Sequence, residues 1–190
     1  MNLNTLNFKH RFLQYRQILL MLTGFWLAVA LTSCNTLIVN QYEATVQTTL
    51  TWQIRYNINP TNDKMPRFEE FASKSLVSRN GEQPKDAVIG PDEKGLWWAA
   101  LPPRPTIDEV EQRQKSQEQA SQPELLRTEK YQISFQQDGQ TVTLPTNYDV
   151  YRQVARAYRL RKPLKLTLGI GDRSVTKAEL AEQAPEVDPY

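Results

Sequence analysis

Three arginines, Arg152, Arg156 and Arg159, are the most chemically suggestive cluster in the 190-residue chain. Residues three and four apart share one face of a helix, so these guanidinium groups are predicted to form a stripe. From Arg152 to Lys177 there are eight basic residues and one acidic residue, Asp172. Guanidinium groups bind carboxylates and phosphates well. The stripe predicts binding of a protein partner or of anionic headgroups, and the alternative is a solvated helix face paired with the acidic C-terminal tail.

Trp97 and Trp98 form a second candidate partner-binding site. Adjacent side chains on a strand point to opposite faces of the sheet, so at least one of the two rings is expected to leave the core. Three prolines within residues 102–105 impose an extended backbone just after them. An exposed tryptophan beside a rigid segment suits a protein contact. The alternative is that both rings pack in the core.

Two short motifs resemble catalytic or phosphate-binding elements but lack what those elements need. Ser174 and Lys177 have Ser-x-x-Lys spacing, but the chain has neither the Lys-Thr-Gly nor the Ser-Asp-Asn element that accompanies it in penicillin-recognising enzymes. Gly169 and Gly171 lack the third glycine or the Gly-Lys-Ser ending of a phosphate loop, and Asp172 would repel phosphate. We therefore interpret the first as a loop before a helix and the second as a turn.

A cluster of carboxylates at Asp108, Glu109 and Glu111 could in principle perform acid–base work on a sugar. The three residues lie in the first turn of a predicted helix, which begins with a capping-box pair, Thr106 and Glu109. Acidic side chains in a first turn complement the helix dipole. The structural interpretation is favoured.

The N-terminus has the order of an export signal. A polar segment with Lys9, Arg11 and Arg16 precedes an apolar run over residues 18–31, and small residues lead to Cys34, the chain's one cysteine. Residues 31–34, Leu-Thr-Ser-Cys, resemble the lipobox of bacterial lipoproteins.

The resemblance implies that residues 1–33 are a signal peptide, cleaved before Cys34. It further implies a diacylglycerol on the Cys34 sulfur and an acylated α-amino group, with acyl chains such as palmitate anchoring the protein to a membrane. Several acyl chains give stable anchoring. The domain is expected on the extracytoplasmic side, either periplasmic or at the cell surface. Asn35 stands where Asp would favour inner-membrane retention. An uncleaved anchor over the 22 uncharged residues 18–39 is the alternative.

Removal of residues 1–33 changes the net charge of the mature protein and the catalytic and metal-binding residues that it retains. It takes away three of the 23 basic side chains and none of the 21 acidic ones, which leaves a net charge of −1 and argues against nucleic-acid binding. It also removes His10, the one histidine, and with it histidine-based catalysis and metal binding. We therefore predict no catalytic residue, no metal and no cofactor. Two alternatives stay open. One is an envelope enzyme that uses Asp/Glu or Lys on a cell-wall or sugar substrate. The other is a carrier that binds a small apolar ligand in a pocket lined by Trp52 and Tyr56.

The elements expected to position these residues belong to one domain over residues 46–184, after a membrane-proximal tether over 34–45. Strict alternation over 46–58 predicts a long, half-buried strand. Helical spacing predicts a short helix over 66–77, and residues 95–101 are a possible strand. Residues 105–125 are predicted to be a polar helical or partly disordered insertion.

The second half of the domain has clearer signals. Asp138-Gly139 predicts a hairpin over 131–144, with Phe135 opposite Val142 and Ile133 opposite Leu144. A helix to about residue 160 follows, then a strand over 164–170, a helix over 176–184 and a loose acidic tail over 185–190. The predicted fold class is α+β: a mostly antiparallel sheet packed against helices, preceded by an N-terminal signal or anchor helix.

Overall fold

The computed structural model describes residues 35–58 and 66–181, and from Thr36 onward these residues belong to one compact unit. The predicted signal peptide with its helix, Cys34 and the acidic tail over 185–190 lie outside the described residues. Within the described ranges, no helix is long and apolar enough to cross a bilayer.

A 16-residue strand, β2 (Tyr42–Asn57), is the spine of the larger sheet. It pairs antiparallel with β3 (Arg67–Arg79) on one side and with β5 (Glu124–Gln137) on the other. The predicted alternation is confirmed, because Val46, Thr48, Leu50, Ile54 and Tyr56 are buried. Trp52 is half-buried, Ile58 is exposed, and the predicted opposite face is broken by burial of Thr51 and Asn57.

The predicted hairpin is confirmed in its register. Strand β5 pairs with β6 (Gln140–Thr146), with Phe135 opposite Val142 and Ile133 opposite Leu144. Asp138 and Gly139 have φ values of 50° and 77°, as a type I′ turn requires.

A second, three-stranded antiparallel sheet has the order β1-β7-β8, in which β1 is Thr36–Val39, β7 is Leu164–Leu168 and β8 is Val175–Leu180. The prediction that residues 34–45 form a tether is therefore wrong from Thr36 onward. Apolar Leu37 and Val39 pack with the core and hold this segment in the fold.

The segment predicted as a polar insertion is ordered and lies against the far half of β2. Its helix, α1 (Ile107–Arg113), has the predicted capping box from Thr106 and Glu109 but buries no residue. It is followed by a two-residue strand, β4 (Gln119–Ala120), which pairs with β2. The Tyr56 hydroxyl donates to the Val110 carbonyl oxygen at 2.9 Å and so fixes α1 to the sheet.

The predicted helix before residue 160 is confirmed as α2 (Tyr148–Leu160). The Asn147 side chain accepts a hydrogen bond from the Val150 N–H, and Arg161 closes the helix in the left-handed conformation. The buried arc of α2 packs against both sheets, and the core gathers apolar residues from β1, β2, β5, β7 and β8 around it. Mostly antiparallel sheet with two helices in the described part of the chain is consistent with an α+β fold.

Two predicted helices are strands. Residues 66–77 fall mainly in β3, where buried Leu76 and Ser78 alternate with exposed neighbours and the backbone pairs with β2. Residues 175–180 form β8, in which Thr176 donates its hydroxyl to the Thr167 carbonyl oxygen at 3.1 Å and caps no helix. In both places pairing with an existing strand overrides local helical spacing.

Two shorter strand predictions also change. Residues 95–101 do not form a strand of the main sheets, since Trp98 makes an isolated bridge with Ile89. Strand β7 ends at Leu168, and Ile170 lies in a 3₁₀ turn, Ile170–Asp172.

Candidate partner-binding groove

The arginine stripe lies on the solvent face of α2. Val150, Tyr151 and Val154 are buried on the opposite arc, so helical spacing turns Arg152, Arg156 and Arg159 outward. All three side chains are exposed, as the sequence predicts.

These arginines form one wall of a groove of about 420 Å³. The opposite wall comes from the turn at Gly81 and from the loop over residues 92–95. The groove is lined by both charge signs, since the loop contributes Asp92, Glu93 and Lys94.

Loop 92–95 is held by its own aspartate. Asp92 Oδ1 accepts hydrogen bonds from the backbone N–H groups of Lys94 and Leu96, both at 2.9 Å. Its Oδ2 accepts from the Trp98 indole N–H at 2.9 Å. The carboxylate is therefore used to build the wall, and the loop presents a defined surface to α2.

Two tyrosines of α2, Tyr148 and Tyr151, also line the groove. Tyr151 is 4% exposed, and burial raises the pKa of its hydroxyl. Tyr148 donates its hydroxyl to the Lys94 carbonyl oxygen at 3.0 Å and so ties α2 to the loop. The Tyr131 ring packs against both, with centroid distances of 5.2 Å to Tyr151 and 5.8 Å to Tyr148. Tyr158 lies apart from the groove, edge-on to Tyr42.

The basic side chains of the groove differ in their ion-pair and hydrogen-bond partners. Lys94 Nζ forms an ion pair with Glu129 at 2.8 Å, and this hydrogen-bonded partner raises the pKa of Lys94. Arg159 Nη2 donates to the Gly81 carbonyl oxygen at 3.3 Å. Within the described ranges, Arg152 and Arg156 have no hydrogen bond or ion pair from their guanidinium groups. Two guanidinium groups in a concave surface are thus available to an anionic ligand.

Trp98 is not available to a partner, and the prediction that it contacts one is wrong. It is 2% exposed, its indole N–H is bonded to Asp92, and Arg127 stacks over its ring at 5.4 Å. Trp97 is half-buried, and its carbonyl oxygen accepts a 2.7 Å hydrogen bond from the Thr48 hydroxyl. Trp97 is not among the groove residues, so the structure does not bring it together with the arginines, and its partner contact stays a prediction.

The remaining candidates lie elsewhere. Cys34 is outside the described residues. Lys177 Nζ pairs with Glu179 at 2.7 Å, and Glu109 is engaged in its capping box. Trp52 donates its indole N–H to the Pro102 carbonyl oxygen at 2.9 Å, and Arg67 covers the Tyr56 ring at 4.4 Å.

The second wall of the groove, formed by Gly81 and residues 92–95, is not among the sites predicted from the sequence. Asp92 followed three residues later by Gly95 is a turn signal and could have identified the loop. Its position opposite α2 depends on contacts between residues more than 50 positions apart, such as Tyr148 with Lys94.

Comparison with protein-family models, with curated proteins and with solved structures found no match. The part of the chain that the structure describes also contains no group of His, Cys, Asp or Glu side chains suited to a metal ion. The geometry of the groove is therefore the basis for the functional argument.

Proposed function

We propose that this protein is a lipid-anchored extracytoplasmic lipoprotein whose domain binds an acidic segment of a partner protein in the groove beside α2. Residues 1–33 would act as a signal peptide with an apolar helix, and Cys34 would carry the acyl chains. The export-signal order and residues 31–34 support the anchoring part of the proposal. In this role the protein is an accessory or structural factor of the cell envelope and not an enzyme.

The observation that carries the binding part is a pair of guanidinium groups, Arg152 and Arg156, that lie on a concave surface and have no bonded partner among the described residues. Arginine presents a planar fork of donors that matches a carboxylate with two hydrogen bonds. The opposite wall carries the carbonyl oxygens of Gly81 and Lys94, together with the exposed Glu93. A concave surface with two guanidinium groups on one wall suits a peptide that places acidic side chains against α2 better than a flat, uniformly anionic lipid surface.

The test is cross-linking in cells followed by purification from membranes, comparing the native protein with the double variant Arg152→Glu/Arg156→Glu. Reversing both charges places carboxylates against an acidic partner. Recovery of the partner is expected to fall at least about tenfold, the equivalent of about 1.4 kcal/mol of binding free energy. The association of the native protein is expected to weaken as salt is raised.

The matched control is Arg55→Glu/Lys130→Glu, which changes the net charge equally at two exposed positions outside the groove. This control should retain the partner. Recovery of the same partner in equal amount with the groove variant would contradict the proposal. Binding of the purified protein to anionic vesicles through Arg152 and Arg156, with no protein partner captured, would assign the groove to headgroups instead.

A further inference from the structure

The turn between β7 and β8 presents an isoleucine entirely to solvent. Ile170 is 100% exposed at the start of the 3₁₀ turn Ile170–Asp172. The turn is closed by hydrogen bonds from the Gly169 N–H to the Ser174 carbonyl oxygen at 2.8 Å and from the Asp172 N–H to the Gly169 carbonyl oxygen at 3.0 Å. The backbone therefore holds an apolar side chain at the tip of a defined turn.

The register of the three-stranded sheet places this turn at the end where the chain enters the domain. Thr36 of β1 is paired with Thr167 of β7, and Val39 with Leu164. The first residue of β1 thus lies beside the end of β7 that leads into the turn. Cys34 precedes Thr36 by two residues, so covalent geometry limits their Cα atoms to about 7.6 Å apart.

The same sheet carries further residues suited to a lipid surface. Ile38 of β1 is 67% exposed, four residues after Cys34. Arg173 is exposed directly after the turn and offsets the charge of its exposed neighbour Asp172, and exposed Lys165 is paired with Ile38 across the sheet. Apolar side chains combined with basic ones are typical of surfaces that bind anionic membranes, where the cations stay at the headgroups.

We propose that residues 169–173 form a second membrane contact beside the lipid anchor. Ile170 enters the interfacial layer of the bilayer, and Arg173 remains at the anionic headgroups. This inference rests on the proposed acylation of Cys34, which brings the turn to the bilayer. Its consequence is an oriented domain, because two attachment points restrict the rotation that one lipid-linked residue permits.

The experiment uses the full-length protein expressed and processed in cells, with Ile170→Cys as a label site. Ile170 is fully exposed, so its replacement disturbs no packing. Acylation consumes the Cys34 thiol, so the new thiol can be labelled alone with an environment-sensitive fluorophore. The labelled protein is reconstituted in vesicles of phosphatidylcholine and phosphatidylglycerol that contain nitroxide lipids. The matched control is Phe68→Cys in β3. This exposed apolar position lies in the larger sheet, paired with Arg55 near the C-terminal end of β2.

We expect emission from the label at position 170 to shift to shorter wavelength. We also expect nitroxides near the headgroups to quench it more strongly than nitroxides deep in the acyl region, while the label at position 68 stays in water. Equal, weak quenching at positions 170 and 68, with Cys34 acylated by mass spectrometry, would overturn the membrane contact and leave the proposed anchor intact. An unmodified Cys34 in the same mass spectrum would overturn the anchor, and with it the contact that depends on the anchor.

Discussion

Gly90 occupies a backbone position that determines how the loop before Trp98 packs. Its φ is 125°, a region that residues with a side chain rarely adopt. A Cβ atom there would lie 2.7 Å from the Leu96 carbonyl oxygen and 3.2 Å from the Trp97 Cα. The close approach allows residues 89–98 to fold back on themselves and to support the groove wall at residues 92–95.

Gly90→Ala is therefore expected to lower the free energy of unfolding by about 2–4 kcal/mol, through backbone strain and a clash with backbone atoms. Gly95→Ala is the control, since Gly95 also has a positive φ, 75°, but its added Cβ would meet nothing within 4 Å. The control should cost about 1 kcal/mol from backbone strain alone. Urea unfolding measures both variants, and an equal or larger cost at Gly95 would refute the packing argument.

At the scale of single residues, sequence reasoning predicted exposure better than partners. Helical spacing was enough to turn Arg152 and Arg156 outward. The choice between Trp97 and Trp98 was not readable, because it depends on Asp92 reaching the Trp98 indole and on Thr48 reaching the Trp97 carbonyl. Both bonds depend on how the loop folds, and spacing along the chain does not encode that.

Ion pairs attach the segment containing α1 and β4 to β3. Glu118 accepts hydrogen bonds from Arg67 Nε at 3.1 Å and Nη2 at 2.7 Å, and from the Lys115 N–H at 2.9 Å. Arg67 also pairs with Glu69, and Arg113 lies near Glu69 at 3.6 Å. The hydrogen bonds from Arg67, followed by that from Lys115, lower the pKa of Glu118 from 4.5 to about 2.

This depressed pKa predicts acid sensitivity. A carboxylate with a lowered folded-state pKa adds stability above its unfolded-state pKa, and this contribution is lost as pH falls toward the folded-state value. The stability difference between the native protein and Glu118→Gln should be fully present at pH 7 and shrink between about pH 5 and pH 2. Unfolding curves across that range test it, with Glu111→Gln on the exposed face of α1 as the control. A difference that stays constant with pH would show that the Arg67 pairing does not set the stability of this segment.

At the scale of elements, the strongest local signals were reliable and the weaker ones were overridden. Alternation in β2 and the Asp138-Gly139 turn are local properties, so the sequence predicts the strand and, for the hairpin, also the register. The helical spacing of Phe68, Phe71 and Leu76 is compatible with more than one structure. Hydrogen bonding to β2 makes this segment the strand β3. Thr176 and Glu179 have capping-box spacing, but burial of Val175 and Ala178 against the core made the segment β8.

The whole molecule combines two features that belong to different parts of the chain. The N-terminal residues carry the proposed signal for placement, which rests on the sequence pattern of residues 1–34. The groove is built from α2 and two distant loops, so the sequence could predict one wall and not the other. Strand β1 begins at Thr36, two residues after Cys34, so most of the segment predicted as a tether belongs to the domain.

The most direct test of this account is the mass of the N-terminal peptide of the protein purified from membranes. Processing as a lipoprotein predicts a peptide that begins at Cys34, carries a diacylglycerol and an N-linked acyl chain, and lacks residues 1–33. Cys34→Ser should abolish both palmitate incorporation and cleavage. An N-terminal peptide that still contains Lys9 and an unmodified Cys34 thiol would contradict lipidation at Cys34. A Cys34→Ser variant that is cleaved and held at the membrane like the native protein would contradict it as well.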